Sequence, residues 1–298
     1  METLNLDALN TLFGVMSFVV GAMVGSFLNV CVYRLPAGLS VVRPGSRCPK
    51  CENPIAWHDN IPVLSWLILG AKCRNCGTPI SWQYPLVEAI TATLFFLVYW
   101  KFGATVASPI YMLLAASLVL VTFVDLTDWT IPNEVTFPGI PIGIACAVGA
   151  MVYPESGLLL DQPLWSMLGV LVGGGVLYGL DLASLLILKK RGMGFGDVKL
   201  MAMLGAFFGP WGVLLIMVIA SFIGSAVGIT LILVGRTPTA EDAEDESDGD
   251  DEDDDAMTPG GHYLPFGPYI VLGGIVYLFF GPEIIERYMT YITVPGAI

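Results

Sequence analysis

The 298-residue sequence predicts an all-α polytopic membrane protein of about eight transmembrane helices, with one small cysteine-bearing domain outside the bilayer. Three observations predict this. The chain is 55% hydrophobic and only 13% charged, about half the charge of an ordinary soluble domain. Apolar runs approaching the ~20 residues needed to cross a bilayer recur through most of its length. Its longest polar stretch outside the acidic tract carries two Cys-x-x-Cys pairs between the first and second apolar runs.

The runs place spans at 12–33, 85–100, 109–125, 134–153, 164–188, 198–208, 211–235 and 265–282. The first has an acidic N-terminal flank and no small-residue cleavage site, so it reads as a retained span and not a signal peptide. The sixth is short and stops at Gly209-Pro210, the mark of a broken or tilted helix. The domains that follow are a first span (12–33), a soluble loop (34–84), a transmembrane core (85–235), an acidic loop (236–263), and a last span with a C-terminal tail (264–298). No internal repeat is evident, which argues against a transporter built from inverted halves.

Charge orients the spans. Arg34, Arg43, Arg47, Lys50, Lys72, Arg74, Lys189, Lys190, Arg191, Lys199 and Arg236 fall on one side; only Lys101 and Arg287 fall on the other. Basic residues mark the cytoplasmic side, so the cysteine loop is expected there and both termini opposite. The net charge of −13 is a local property: residues 241–255 hold 12 of the 26 acids, and the remaining 14 nearly balance 13 bases. Such a tract cannot bury a core and is expected to be disordered. No basic face is available to neutralise phosphates, which excludes a nucleic-acid partner.

Cys48-Pro-Lys-Cys51 and Cys73-Arg-Asn-Cys76 have the spacing of a tetrahedral four-cysteine zinc site. Arg47, Lys50, Lys72 and Arg74 favour the thiolates, and a cytoplasmic position argues against disulfides. With four protein ligands the site is closed, so its role is structural. Cys31 and Cys146 lie in apolar spans, where a buried cysteine is ordinary packing. His58 and His262 read as isolated loop residues.

Acids in or beside the spans are few. Asp125 ends the third span in VTFVDLTDWTIPN, and Asp197 opens the sixth in GFGDVKL. Both lie at the cytoplasmic ends of their helices in this topology. Two carboxylates that share a proton can activate a water, one as base and one as acid. Gly194 and Gly196 give that segment room for a substrate backbone. The plainer alternatives stay open: Asp197 as a helix N-cap, Asp125 as a solvated or lysine-paired end residue, and Asp128 in place of Asp125. Asp181, inside an apolar helix, reads as structural or as a lipid-edge residue. Glu88 is expected to pair with Arg34 or Arg74.

Five blocks in order, GSFLNVCVYRLP (25–36), the cysteine segment 48–88, VDLTDWTIPN (124–133), GFGDVKL (194–200) and LPFGPYI (264–270), resemble the prepilin peptidases, or type IV leader peptidases. The resemblance covers nearly the whole chain. It implies a bifunctional enzyme of the bacterial inner membrane with catalytic aspartates at Asp125 and Asp197. Such an enzyme cleaves the basic leader of type IV prepilins and of type II secretion pseudopilins after glycine, at the cytoplasmic membrane face. It also implies N-methylation of the new terminus with S-adenosyl-L-methionine, for which this sequence carries no nucleotide-binding fingerprint. The acidic tract departs from the family pattern as an insertion. The rival readings are a proton-coupled transporter and a non-enzymatic pilus or secretion assembly factor.

Overall fold

The computed structural model describes residues 2–188, 194–234 and 265–293. Among them it is all-helical: α1 (Glu2–Arg34), the short α2 (Leu64–Ile68), α3 (Gln83–Phe102), α4 (Ala107–Asp128), α5 (Asn133–Val152), α6 (Pro163–Leu188), α7 (Phe195–Leu233) and α8 (Gly267–Thr293). All but α2 are long and apolar enough to cross a membrane. The acidic tract 241–255, His262 and the basic triplet 189–191 lie outside the described residues.

The predicted sixth and seventh spans are the two arms of the 39-residue α7. Pro210 has no N–H to give to the helical ladder, and Gly209 takes φ 71°, ψ −178°, so the helix breaks where the Gly-Pro pair predicted. At 1.5 Å per residue the arm before Gly209 is only about 21 Å long, short of a ~30 Å hydrocarbon core. The last helix runs through Pro282 to Thr293, well beyond the expected end at 282.

Internal contacts divide the chain into two compact units, Met1–Pro138 with Ile144–Pro163, and Gly139–Gly143 with Leu164–Ile298. In the first, α1 lies against α3 through glycines. A Cβ on Gly21 would stand 2.8 Å from Ala92 Cα, and one on Gly25 would stand 2.7 Å from Glu88 Cα. Asn29 Nδ2 donates to Tyr84 O at 3.1 Å across the same seam. The chain leaves α4 through Trp129 in the left-handed region (φ 55°), whose N–H donates to Asp125 O. The Tyr111 hydroxyl accepts the Leu159 N–H at 2.7 Å and ties the 153–163 connection to α4.

In the second unit, Gly169 of α6 faces Gly205 of α7 at backbone contact, and one turn on Gly173 faces Met201. Ser166 Oγ donates to Ala206 O at 2.7 Å beside them. Helices in lipid gain nothing from burying one apolar side chain against another in place of a lipid tail, so small residues that let backbones meet supply the packing. Further along α7, Gly273 of α8 packs on Ile216, and Tyr277 packs on Phe208 and Gly212.

Candidate active site and metal centre

The cysteine loop is built from two copies of one turn. RCPKCENPIAW (47–57) and KCRNCGTPISW (72–82) superpose at an offset of 25 residues. This is a repeat, contrary to the expectation of none. In the first copy the Cys48 N–H donates to Asn53 O and the Glu52 N–H to Cys48 O. In the second the Cys73 N–H donates to Thr78 O and the Gly77 N–H to Cys73 O. Bridges Arg47–Pro54 and Lys72–Pro79 close the two turns. Each turn needs a left-handed residue after its second cysteine, filled by Glu52 (φ 56°) in one and Gly77 (φ 69°) in the other.

The two turns face each other, so that the sulfurs of Cys48, Cys51, Cys73 and Cys76 all lie within 4.8 Å of one another and could hold a metal ion. Cys48 Sγ and Cys76 Sγ are 3.7 Å apart. Four sulfurs at ~2.3 Å from a tetrahedral zinc stand about 3.8 Å apart. The Thr78 hydroxyl and backbone N–H stabilise the Cys76 thiolate and bring it down to about 6. The backbone N–H groups of Cys51 and Lys50 lower Cys48. Cys51 accepts the Asn53 N–H, yet burial and the neighbouring sulfurs push it up to about 11. Four thiolates this close repel one another unless a cation sits among them.

Arg74 does not reach Glu88. Its guanidinium makes a two-point ion pair with Asp59, with Nε donating to Oδ2 at 2.7 Å, and this holds Asp59 below the usual carboxylate range. Arg34 is also engaged elsewhere, donating to the carbonyls of Ser40, Pro44 and Gly45. Glu88, buried in α3, instead accepts the backbone N–H of Val63 at 2.7 Å, with Ser26 as a second donor. His58 stays in the loop beside Asp59.

Asp125 lies in the last turn of α4 and is 5% exposed. Asp128, one turn on, is exposed and takes a hydrogen bond from Thr127. Of the two rivals, only Asp125 is turned inward. A cavity of about 170 Å³ adjoins this end of α4, lined by Leu35, Pro36, Val124, Ile131, Asn133 and Glu134 among others.

Asp197 lies in the first turn of α7 and is 8% exposed. It is not the N-cap, because Gly194 occupies that position and accepts the Asp197 N–H at 3.1 Å. An acid in the first turn still suits the helix dipole. Gly194 has an ordinary extended backbone, and a Cβ there would meet nothing closer than 4.0 Å. Its open surroundings, not an unusual φ, distinguish it. Gly196 follows within the same turn. Asp125 belongs to the first unit and Asp197 to the second. Asp181 is half-buried on α6.

Two family profiles match the chain: the bacterial peptidase A24 N-terminal domain over residues 19–102, and the type IV leader peptidase family over residues 112–229. Among curated proteins, the chain is similar to a prepilin leader peptidase/N-methyltransferase of Myxococcus xanthus, 39% identical over 79% of this chain and 68% of that protein. It is similar to proteins of the same name from Stutzerimonas stutzeri and Pseudomonas aeruginosa, each 32% identical over 94% of both chains. No solved structure matches it significantly.

Proposed function

The chain belongs to the type IV leader peptidase family, and on that premise we propose that it is an intramembrane aspartic endopeptidase of the bacterial inner membrane. Its substrates are type IV prepilins and type II secretion pseudopilins with basic leaders, cut after glycine at the cytoplasmic face. The observation that carries the reading is the pair Asp125 and Asp197. They are buried carboxylates in the terminal turns of two membrane-spanning helices, and both fall within the segment matched to the peptidase family.

One of the two aspartates, ionised, takes a proton from water as the oxygen attacks the carbonyl carbon of the glycine, and the bond from that carbon to the next residue's nitrogen breaks. The other, protonated, gives its proton to the leaving amine. The open surroundings of Gly194 give a substrate backbone room beside Asp197. A scissile bond at the mouth of a transmembrane helix lies where water can reach it, which suits carboxylates at helix ends.

Zinc is the metal we assign to Cys48, Cys51, Cys73 and Cys76. The sulfur spacing fits a tetrahedral ion, and four protein ligands leave no open position for chemistry. When bound it cross-links a loop too small to fold alone. The relatives' names carry an N-methyltransferase activity, and we propose the same second activity here with S-adenosyl-L-methionine as the methyl donor. Among the described residues no strand-turn-helix nucleotide unit occurs, and we assign the donor to no residue.

The test is cleavage of a prepilin by purified protein in detergent with S-adenosyl-L-methionine present, with products read by mass spectrometry. Asp125→Asn and Asp197→Asn should each abolish cleavage while the protein stays folded. Cleavage by either variant removes that residue from the mechanism. A product heavier by one methyl group establishes the second activity.

A further inference from the structure

Within the cysteine loop, residues 61–69 make an unusual excursion. Val63, a β-branched residue, sits at φ 61°, ψ −48°, and the Leu64 N–H closes a γ-turn onto Pro62 O at 2.6 Å. This is the rare and strained form of the turn, and its anchor is Glu88. The carboxylate takes the Val63 N–H at 2.7 Å. Ser65 locks the other side, its hydroxyl accepting the Ile61 N–H and donating to His58 O.

The anchor fixes a depth. The 20 residues of α3 span about 30 Å, the thickness of a hydrocarbon core, with Trp100 and Lys101 at the far end as interfacial residues. Glu88 is five residues in from Gln83, so its backbone lies roughly 7–8 Å inside the near boundary. Gly25 of α1 meets Glu88 at the same level, and Arg34 stands about 13 Å further out, at the loop side. The Glu88 side chain leans toward the N-terminus of α3, so the γ-turn it holds lies beside the first turns of α3 at the headgroup–acyl boundary, and α2 starts there. Its Leu64, Leu67 and Ile68 are 56%, 60% and 77% exposed.

We propose that α2 is an interfacial wedge: Leu64, Leu67 and Ile68 are immersed in lipid at the headgroup–acyl boundary, and Glu88 pins the cysteine loop to the bilayer at that depth. A loop surface this apolar is costly in water and stable in the interface, where amphipathic segments sink ~5–10 Å. The occupant is lipid and not a protein partner, because the residue that anchors the turn, Glu88, lies inside the membrane-spanning stretch of α3.

The experiment places an environment-sensitive fluorescent amino acid at Ile68 in the full-length, metal-loaded protein in nanodiscs, with Arg43 as the exposed control in the same loop. Iodide should quench the Ile68 probe several-fold less than the Arg43 probe, and lipids with a nitroxide near the top of the acyl chain should quench it several-fold more. Equal iodide quenching at the two positions overturns the proposal. Protection at Ile68 that appears only after a prepilin peptide is added also overturns it, since the face then docks protein. If the probe at Ile68 disturbs folding, the same comparison at Leu67 decides. Glu88→Gln, which keeps an acceptor oxygen, should preserve the protection, and Glu88→Ala should raise iodide quenching toward the Arg43 value.

Discussion

Single side chains carry the sharpest expectations. Asp125→Asn and Asp197→Asn remove one half of an acid–base pair each, and either change should lower the cleavage rate by on the order of a thousandfold or more. Asp128→Asn should leave it near wild type, because that carboxylate is exposed and already bonded to Thr127. The controlling measurement is single-turnover cleavage beside a thermal melt. In the cysteine turns the two left-handed positions make a matched pair. A Cβ on Gly77 would touch nothing within 4 Å, so Gly77→Ala meets only the backbone cost of roughly 1–2 kcal/mol. Glu52→Gly relieves the same cost in the other turn and should raise stability slightly. Opposite shifts in the melting temperature of the metal-loaded protein check both.

Between elements, backbone contact makes glycines unequal. A Cβ at Gly205 would lie on the carbonyl of Gly169, and one at Gly25 would lie on the backbone of α3 at Glu88. Neither backbone can yield without separating two helices. Gly205→Ala and Gly25→Ala should each cost more than the typical 1–3 kcal/mol of overpacking. Gly175 on α6 has nothing within 4 Å of its Cβ position. Gly175→Ala should therefore be neutral or stabilising by up to about 1 kcal/mol, the ordinary helix preference for alanine. Detergent-solubilised melting curves of the three variants separate the cases, and an equal response at all three would refute the seam. Gly209 is a different matter, since its φ of 71° is what turns α7 at Pro210. There the substitution strains the bend itself.

At the level of the whole molecule, the loop and the helices should respond differently to loss of metal. The helical seams are built from backbone approach and need no ion, whereas the cysteine loop is organised around four sulfurs packed within 4.8 Å. A strong chelator should therefore make residues 46–82 sensitive to protease while far-ultraviolet circular dichroism hardly changes. A global loss of helix on chelation would contradict this. Metal retention should also fall with acidification, because protons compete for the thiolates. Cys51, the sulfur pushed up to about 11, depends most on the ion for its negative charge.

Much of this was local enough to read along the chain. Hydrophobic runs of membrane length, ligand spacing at Cys48–Cys51 and Cys73–Cys76, and the Gly209-Pro210 break each follow from rules that act within a few residues. The two-copy turn was equally legible in RCPKCENPIAW and KCRNCGTPISW. It was missed because two copies of eleven residues fall short of the long arrays that usually reveal a repeat. What tertiary structure alone decided is which groups meet. Glu88 was expected to seek a cation and instead holds a backbone N–H 25 residues away, a partner with no side-chain signature. Arg74 chose Asp59, Asp197 yielded the N-cap to Gly194, and Asp125 turned inward where Asp128 did not. The sequence by itself determined the class of protein, its elements and its candidate chemistry, because those depend on composition and short-range spacing. Helix rotation and seam contacts depend on the simultaneous fit of distant backbones, and only the folded chain expresses them.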